Sequence, residues 1–540
     1  MRQTPQIEPI PGTNQFRNSA GGFVWQVDEW QRLHRFLVLG SEGGSYYAAE
    51  QALTVANANN VIQCIQKNGL RVVQEVVAIS HEGRAPKNDP AIFALALATT
   101  YGDPETRTAA LDALSKVCRT GTHLFTFAEY VKAMRGWGRG LRRGVSGWYH
   151  RLEGRDLAYQ LVKYRQRNGW THTDMLRLAH VMPQTDTQGA IFKWVTRHDD
   201  ATWARELVAP ENDALALIWA FEQIQGASTL DQVLKLIAAY DLPREALPTQ
   251  WLNEPAVWEA LLAKMPMTAM IRNLATMSRV GLLMPMSEAE KTVVGRLTDA
   301  NLLRKARVHP ISVLSALRVY AQGYSLRGQA YERKVSIPKE QEWTPTPRIT
   351  DALDTAFELA FKHIEPSNKR VMLALDVSGS MSIGMIAGVP GLTPREASAA
   401  MAMVTARTEP YYNVISFQNT IMPLNISAKM RLDDVLKVTS GLPFGATDCA
   451  QPMIYALEHK IAVDTFVIYT DSETWFGAIH PAQALRNYRE KMGIATRLVV
   501  VGMVANPFSI ADPNDAGMMD VVGFDSAAPG LIADFARGEL

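Results

Sequence analysis

At 540 residues the chain is too long for a single core, and 47% hydrophobic with 20% charged residues is ordinary globular composition, which excludes a disordered or fibrous protein. The net charge of +1 hides an asymmetry: residues 371–540 carry 11 Lys and Arg against 17 Asp and Glu, net −6, leaving +7 on residues 1–370. Three cysteines far apart (Cys64, Cys118, Cys449) exclude a disulfide framework and a zinc knuckle and point to a reducing, cytoplasmic setting.

The first residues, "MRQTPQIEPIPGTN", have neither a basic flank nor an apolar core, so no signal peptide is expected, and no apolar run is long enough to span a membrane. From about residue 50 to 330 one design repeats: an amphipathic stretch closed by Pro, Gly or Asp. In "DPAIFALALATTYGDPETRTAALDALSKVCRTGTH", Asp103-Pro104 supplies a cap and a first-turn proline between two helices. "STLDQVLKLIAAYDLP" and "NEPAVWEALLAKMP" restate the pattern, which fits either a HEAT-class α-solenoid or an irregular helical domain.

Within that half, residues 132–180 hold 11 basic and 3 acidic side chains, so a polyanion would meet the chain there. "MRGWGRGLRRGVSGWYHR" spaces Arg135, Arg139, Arg142 and Arg143 among glycines, which let a backbone come close, and among Trp137, Trp148 and Tyr149. Arginine forks bind phosphate and aromatic rings stack unpaired bases; the alternative is an exposed basic helix whose aromatics are core, and for the aromatics alone core is the better reading. In "KYRQRNGWTHTDMLRLAH", Asn168-Gly169 breaks one helix and Thr171 with Asp174 signals a cap for the next. Lys163, Arg167 and His172 then cluster at a helix N-terminus, where free amides attract phosphate. Taken alone, His172 reads as a surface histidine, His180 as packed and His309 as structural. Residues 196–226 are acidic.

"WTPTPRIT" (343–350) reads as a linker before a last helix, and after "EPSNKR" the period changes. "VMLALD", "YYNVISF", "TFVIYTD" and "RLVVVGM" alternate with helical segments, implying a mainly parallel, doubly wound sheet over residues 367–540, after a helical module over 1–366. Ligands of such sheets bind beyond the carboxyl ends of the strands. There "DVSGS", "FGATD" and "YTDSET" bring together Asp376, Ser378, Ser380, Thr447 and Asp471. All five offer oxygen and only two are charged, which suits Mg²⁺; the plain alternative is helix and loop capping by the same side chains.

The D-x-S-x-S, threonine, aspartate order resembles the metal-ion-dependent adhesion site of von Willebrand factor A domains. That resemblance implies that Ser378, Ser380 and Thr447 contact the metal while Asp376 and Asp471 orient its waters. "GGFVWQVDEWQRLHRFLVLGSEGGSYY", "VCRTGTHLFTFAEY", "KYRQRNGWTHTDMLRLAH", "MPMTAMIRNLATM" and "KARVHPISVLSAL" resemble signature segments of the Ro ribonucleoprotein family, as do "TDSETWFGAIHPAQALRNYR" and "ADPNDAGMMDVVGFD". The resemblance covers nearly the whole chain and implies a bacterial relative joining a TROVE module to an A domain. It further implies repeats closed into a ring, an outer face for small noncoding Y-like RNA at Lys163, Arg167 and His172, and a hole that admits single-stranded 3′ ends of misfolded RNA. An exoribonuclease partner and a monomeric state follow by analogy only. The acidic 196–226 segment departs from vertebrate relatives, and "SIPKEQEW" matches poorly.

No phosphate loop, H-E-x-x-H or G-x-S-x-G stands in the chain, so the reading is a non-enzymatic RNA-binding protein. A metal-dependent adhesion module without RNA and a metal-assisted hydrolase are the alternatives.

Overall fold

A computed structural model describes residues 3–40, 58–326, 340–361, 364–383, 386, 392–443 and 445–540; residues 41–47 and 336–339 of the quoted segments, and 444, lie outside them. No helix among the described residues is long and apolar enough to cross a membrane.

The first half is a succession of helices from Asn59–Glu82 to Pro310–Gln322. Their ends follow the predicted chemistry. Asp103 caps Pro104–Asp112 by accepting from the Thr106 amide at 2.7 Å, with Pro104 in the first turn. Asp89–Tyr101 is buried from Pro90 to Thr99, which marks it as a central helix rather than an amphipathic cover. The succession closes on itself: His309, at the N-terminus of Pro310–Gln322, places Nε2 3.0 Å from the Arg84 carbonyl, just past the end of Asn59–Glu82.

The second half is a six-stranded sheet in the order Met518–Val522, Arg497–Gly502, Thr465–Thr470, Val371–Asp376, Tyr412–Phe417, Ile421–Pro423, parallel except at the last pair. Its central strands are buried on both faces. Leu373, Val467 and Val499 face the core continuous with the helical half, and Met372, Phe466 and Leu498 face a second core with Met453, Leu485 and Tyr488. Strand order reverses between Val371–Asp376 and Thr465–Thr470.

The amino end of the chain reaches across to the sheet. Residues 4–26 pack on the sheet domain: Phe23–Gln26 pairs antiparallel with Phe508–Ser509, and Ile10, Val24 and Trp25 enter the second core. Sequence alternation could not reveal this, because the strand's partner lies more than 480 residues away.

One carboxylate joins the halves. Asp525 is 2% exposed and accepts from Arg84 Nη2 at 2.5 Å and from His34 Nε2 at 2.8 Å, while His34 Nδ1 meets Glu75 at 3.0 Å. Burial disfavours the His34 cation, but the bonds to Asp525 and Glu75 outweigh it and raise its pKa. Burial likewise opposes the Asp525 charge, and His34 and Arg84 overturn that, holding the carboxyl well below its usual range. A raised histidine stabilises fully below about pH 6.5 and loses its contribution as pH rises through the folded pKa; the depressed aspartate stabilises above about pH 4 and loses its share only in stronger acid. Asp525→Ala, which strands a largely buried Arg84, is expected to cost about 3 kcal/mol. His34→Gln should remove the part of the fall in melting temperature between pH 6.5 and 9 that His34 causes, checked by thermal melts of both proteins across that range.

Candidate metal centre and nucleic-acid surface

The strand Val371–Asp376 ends at the topological switch, and the turn after it folds back on its own carboxylate: the Ser378 amide donates to Asp376 Oδ1 at 2.9 Å. Ser378 and Ser380 hydroxyls lie 3.1 Å apart, and Thr470 donates to Asp376 Oδ2 at 2.6 Å. Asp471 follows the neighbouring strand, its Oδ1 accepting from the Glu473 amide at 3.0 Å. Thr447 comes alongside through its carbonyl, which accepts from the Trp475 and Phe476 amides, both at 3.1 Å. All five predicted residues are thus buried around the switch point. The bonds of Thr447 run through its carbonyl to the 474–476 loop and not to the two carboxylates.

Burial, then the Asp376 and Glu473 charges, push the Asp471 carboxyl up to about 8, and burial raises Asp376. Asp471 Oδ2 is buried without a hydrogen-bond partner. Two desolvated carboxylates that disfavour each other's charge, one with an orphaned oxygen and both beside hydroxyls, fit a hard divalent cation, which would restore both charges. Among the described residues the carboxylates here are not part of a ready-made cluster of three or more His, Cys, Asp or Glu, so a cation would draw on the hydroxyls.

Several neighbours escaped sequence reading. Arg395, 4% exposed, reaches Ser382 Oγ at 3.2 Å and the Leu442 carbonyl at 2.5 Å and lowers the Asp376 pKa through its charge. Thr470 carries a signal, as a polar side chain ending a buried strand; Arg395, inside a helix, carries none. The amino-terminal segment buttresses the loop that bears Asp471: Asn18 donates to the Thr474 carbonyl at 2.9 Å, and the Ala20 amide to Glu473 at 3.0 Å. Gly22 lies so close that a Cβ there would collide with the Thr474 carbonyl. Cys449 is fully buried, and burial raises its thiol far above the ordinary range, as expected of a packed residue.

On the helical half, Arg139–His150 turns Leu141, Val145, Trp148 and Tyr149 inward at helical spacing and leaves Arg139, Arg142 and Arg143 exposed. Gly140 and Gly144 serve packing rather than ligand approach, since a Cβ on either would sit 3.1 Å from Leu111. Arg135 is half-buried and donates to the Thr99 carbonyl. Asn168 and Gly169, with φ of 52° and 77°, form the two-residue turn of a hairpin pairing Gln166–Arg167 with Trp170–Thr171, which holds Arg167 out at its tip. Trp137 packs on Trp170 with centroids 6.0 Å apart, bringing the arginine helix beside the hairpin. Thr171 and Asp174 form the predicted capping box. Lys163, half-buried, lies over the Tyr159 and Tyr164 rings at 5.2 and 5.4 Å.

His172 does not join this surface. It is 3% exposed, bonds Tyr149 Oη through Nδ1 at 2.7 Å, stacks on Trp148, and is driven by burial to about 3, so it is a neutral core residue. His180, expected to be packed, is exposed at a helix end with φ 51°. Spacing could not separate the two, because the capping box places the first helical residue inward. In the acidic 196–226 segment, Glu222 accepts from Trp194 and His198, both at 2.9 Å, and Asp213 pairs with Arg155.

A TROVE domain model matches residues 16–325 and a Ro60 vWA domain model residues 370–536. The chain is 42% identical over 542 residues to the RNA-binding protein RO60 of Deinococcus radiodurans, covering 99% of this chain and 98% of that one. It is 35% identical over 606 residues to the Caenorhabditis elegans RNA-binding protein RO60, covering 99% and 92%. The crystal structure of the Deinococcus radiodurans RO (RSR) protein superposes with TM-score 0.70 at 41% identity, over 95% of this chain and all of that one.

Gly22→Ala should destabilise the 471–476 loop by about 2 kcal/mol, the usual scale of overpacking, read as a lower melting temperature with the helical half still folded by circular dichroism.

Proposed function

The chain belongs to the Ro family of RNA-binding proteins, and from that premise we propose that it holds small noncoding Y-like RNA on the face built by Arg139, Arg142, Arg143, Lys163 and Arg167. The observation that carries the reading is that Arg139, Arg142, Arg143 and Arg167 are exposed and their side chains have no hydrogen-bond or ion-pair partner among the described residues, on a segment of local charge +8. Free guanidinium forks set side by side are what phosphate recognition needs. Arg135 belongs to the framework of this face, because its guanidinium is committed to Thr99.

The closed helical succession supports a second RNA role: a hole that takes the single-stranded 3′ end of a misfolded RNA, as part of RNA quality control in the cytoplasm. The RNA is released uncut, so its degradation falls to a separate exoribonuclease; the relatives are named as RNA-binding proteins, not enzymes. The sheet domain, at net −6, would repel RNA and instead serves as a divalent-cation site. When bound, Mg²⁺ would supply a Lewis-acidic position open to an oxygen of a partner. Ser378 and Ser380 would hold it through their hydroxyls, with Asp376 and Asp471 supplying the charge.

Three measurements test this. Lys163→Ala/Arg167→Ala should weaken binding of a Y-like hairpin RNA and flatten the slope of log affinity against log salt by about 0.7–0.9 per lost contact; an unchanged slope assigns those side chains no phosphate. The wild-type protein should prefer a structured RNA with a free 3′ tail over the same RNA with the tail paired, in a gel-shift competition at near-physiological salt. Mg²⁺ should raise the melting temperature of the wild type and not of Asp376→Ala; an equal rise in both would remove the metal from this site.

A further inference from the structure

Beside the RNA face lies a cavity of about 250 Å³. It is framed by the helices Gly154–Lys163, Leu230–Tyr240, Pro255–Leu262 and Met267–Arg279. Its floor is apolar, made of the buried side chains of Ile237, Leu242, Leu261 and Met265. Tyr159 forms a wall, half-buried, and burial pushes its phenol up to about 12, so it is a neutral ring at any working pH. The lining also carries charges of both signs: Lys163, Arg244 and Glu245, and Asp241, which is paired with Lys264 at 3.9 Å and Arg155 at 3.8 Å. Lys163 donates to Tyr159 Oη at 3.3 Å and so stands where the cavity wall meets the RNA face.

This combination has a chemical reading. The volume lies below the roughly 300–1,000 Å³ of sites that enclose drug-sized ligands, which suits one flat ring and not a longer chain. An aromatic wall over an aliphatic floor takes the face of a heterocycle, because every base has a π-face. Lys163 meets an anion attached to that ring. Carboxylates only accept hydrogen bonds when ionised, so Glu245 favours an exocyclic amino group over uracil, whose one ring donor lies between two carbonyl oxygens that a carboxylate repels.

We propose that this cavity receives one unpaired base of the bound RNA, splayed out of its strand against Tyr159, with Lys163 on the adjoining phosphate and with a preference for amino-bearing bases over uracil. The proposal rests on the RNA reading of the neighbouring face and names what that face recognises beyond phosphate. A base reaches the pocket only where the strand is unpaired, so the cavity adds discrimination between single-stranded and paired segments that an arginine surface alone lacks.

The test fills the cavity from lining positions on helices other than the one that carries Lys163. Ala269→Phe, on the helix Met267–Arg279, and the milder Ala260→Leu both add side chain to lining positions without removing a phosphate partner. The probe is a hairpin RNA with a short unpaired adenosine segment, compared with the same RNA bearing abasic or uridine residues there. Wild type should lose about fivefold to a hundredfold in affinity on abasic replacement, the scale of one stacked base, and an intermediate amount with uridine. The filled variants should bind the adenosine RNA as weakly as wild type binds the abasic one, with the salt slope unchanged. In wild type, 2-aminopurine placed at each unpaired position in turn should be quenched on binding at one position above the others. Filled variants that fold and keep the wild-type ratio, or quenching equal at all positions, overturn the proposal. If instead Lys163→Ala/Arg167→Ala binds RNA as tightly as wild type, the RNA face itself is misassigned, which is a separate failure.

Discussion

The buried carboxylate of Asp525 is the point on which the rest of the structure hangs. An ionised group at 2% exposure is tolerable only with donors on every side. Those donors come from His34 in an early helix and Arg84 at the end of the next, and the backbone beside it is held by His309 from the last helices, whose Nε2 lies 2.9 Å from the Phe524 carbonyl. Satisfying this charge docks the sheet domain on the start of the helical succession. His309, bonded to the Arg84 and Phe524 carbonyls, brings the far end of the succession to the same place.

That arrangement also separates two kinds of electrostatics. The arginine face works in water, with exposed cations whose attraction for phosphate is long-ranged and screened by salt. The switch-point site lies in the interior, where burial and the neighbouring charge hold two carboxylates back from ionising, so a cation there would act by neutralising their charges and mutual repulsion. The halves carry opposite net charge, +7 on residues 1–370 and −6 on 371–540, so a polyanion is drawn to the first and repelled by the second.

Much of this was legible in the chain. Asp103-Pro104 and Thr171 with Asp174 are local signals whose bonds span three residues, and they formed as read. Asp376, Ser378, Ser380 and Asp471 follow the ends of two neighbouring parallel strands, and Thr447 precedes a helix; all five are buried. The errors are non-local. His172 and His180 differ in exposure because the Thr171 cap rotates the helix so that its first residue meets Trp148 and Tyr149. Gly140 and Gly144 looked like concessions to a ligand and are concessions to Leu111. Arg395 is the second residue of the helix Pro394–Thr408, and nothing in its neighbours announces that Asp376 is near.

The amino-terminal segment carries a consequence for how the protein is made. Asn18 binds the loop at Thr474, 456 residues further on, and Gly22 lies against the same loop. On the ribosome, at about 5–20 residues per second, Ile10, Val24 and Trp25 must wait for roughly 20–90 s before their binding partner exists. Throughout that interval a segment with apolar side chains is without the strand it pairs with. The segment 10–26 can thus settle only once the region around 471–509 has been made, so a chain that stops short of it leaves Val24 and Trp25 uncovered.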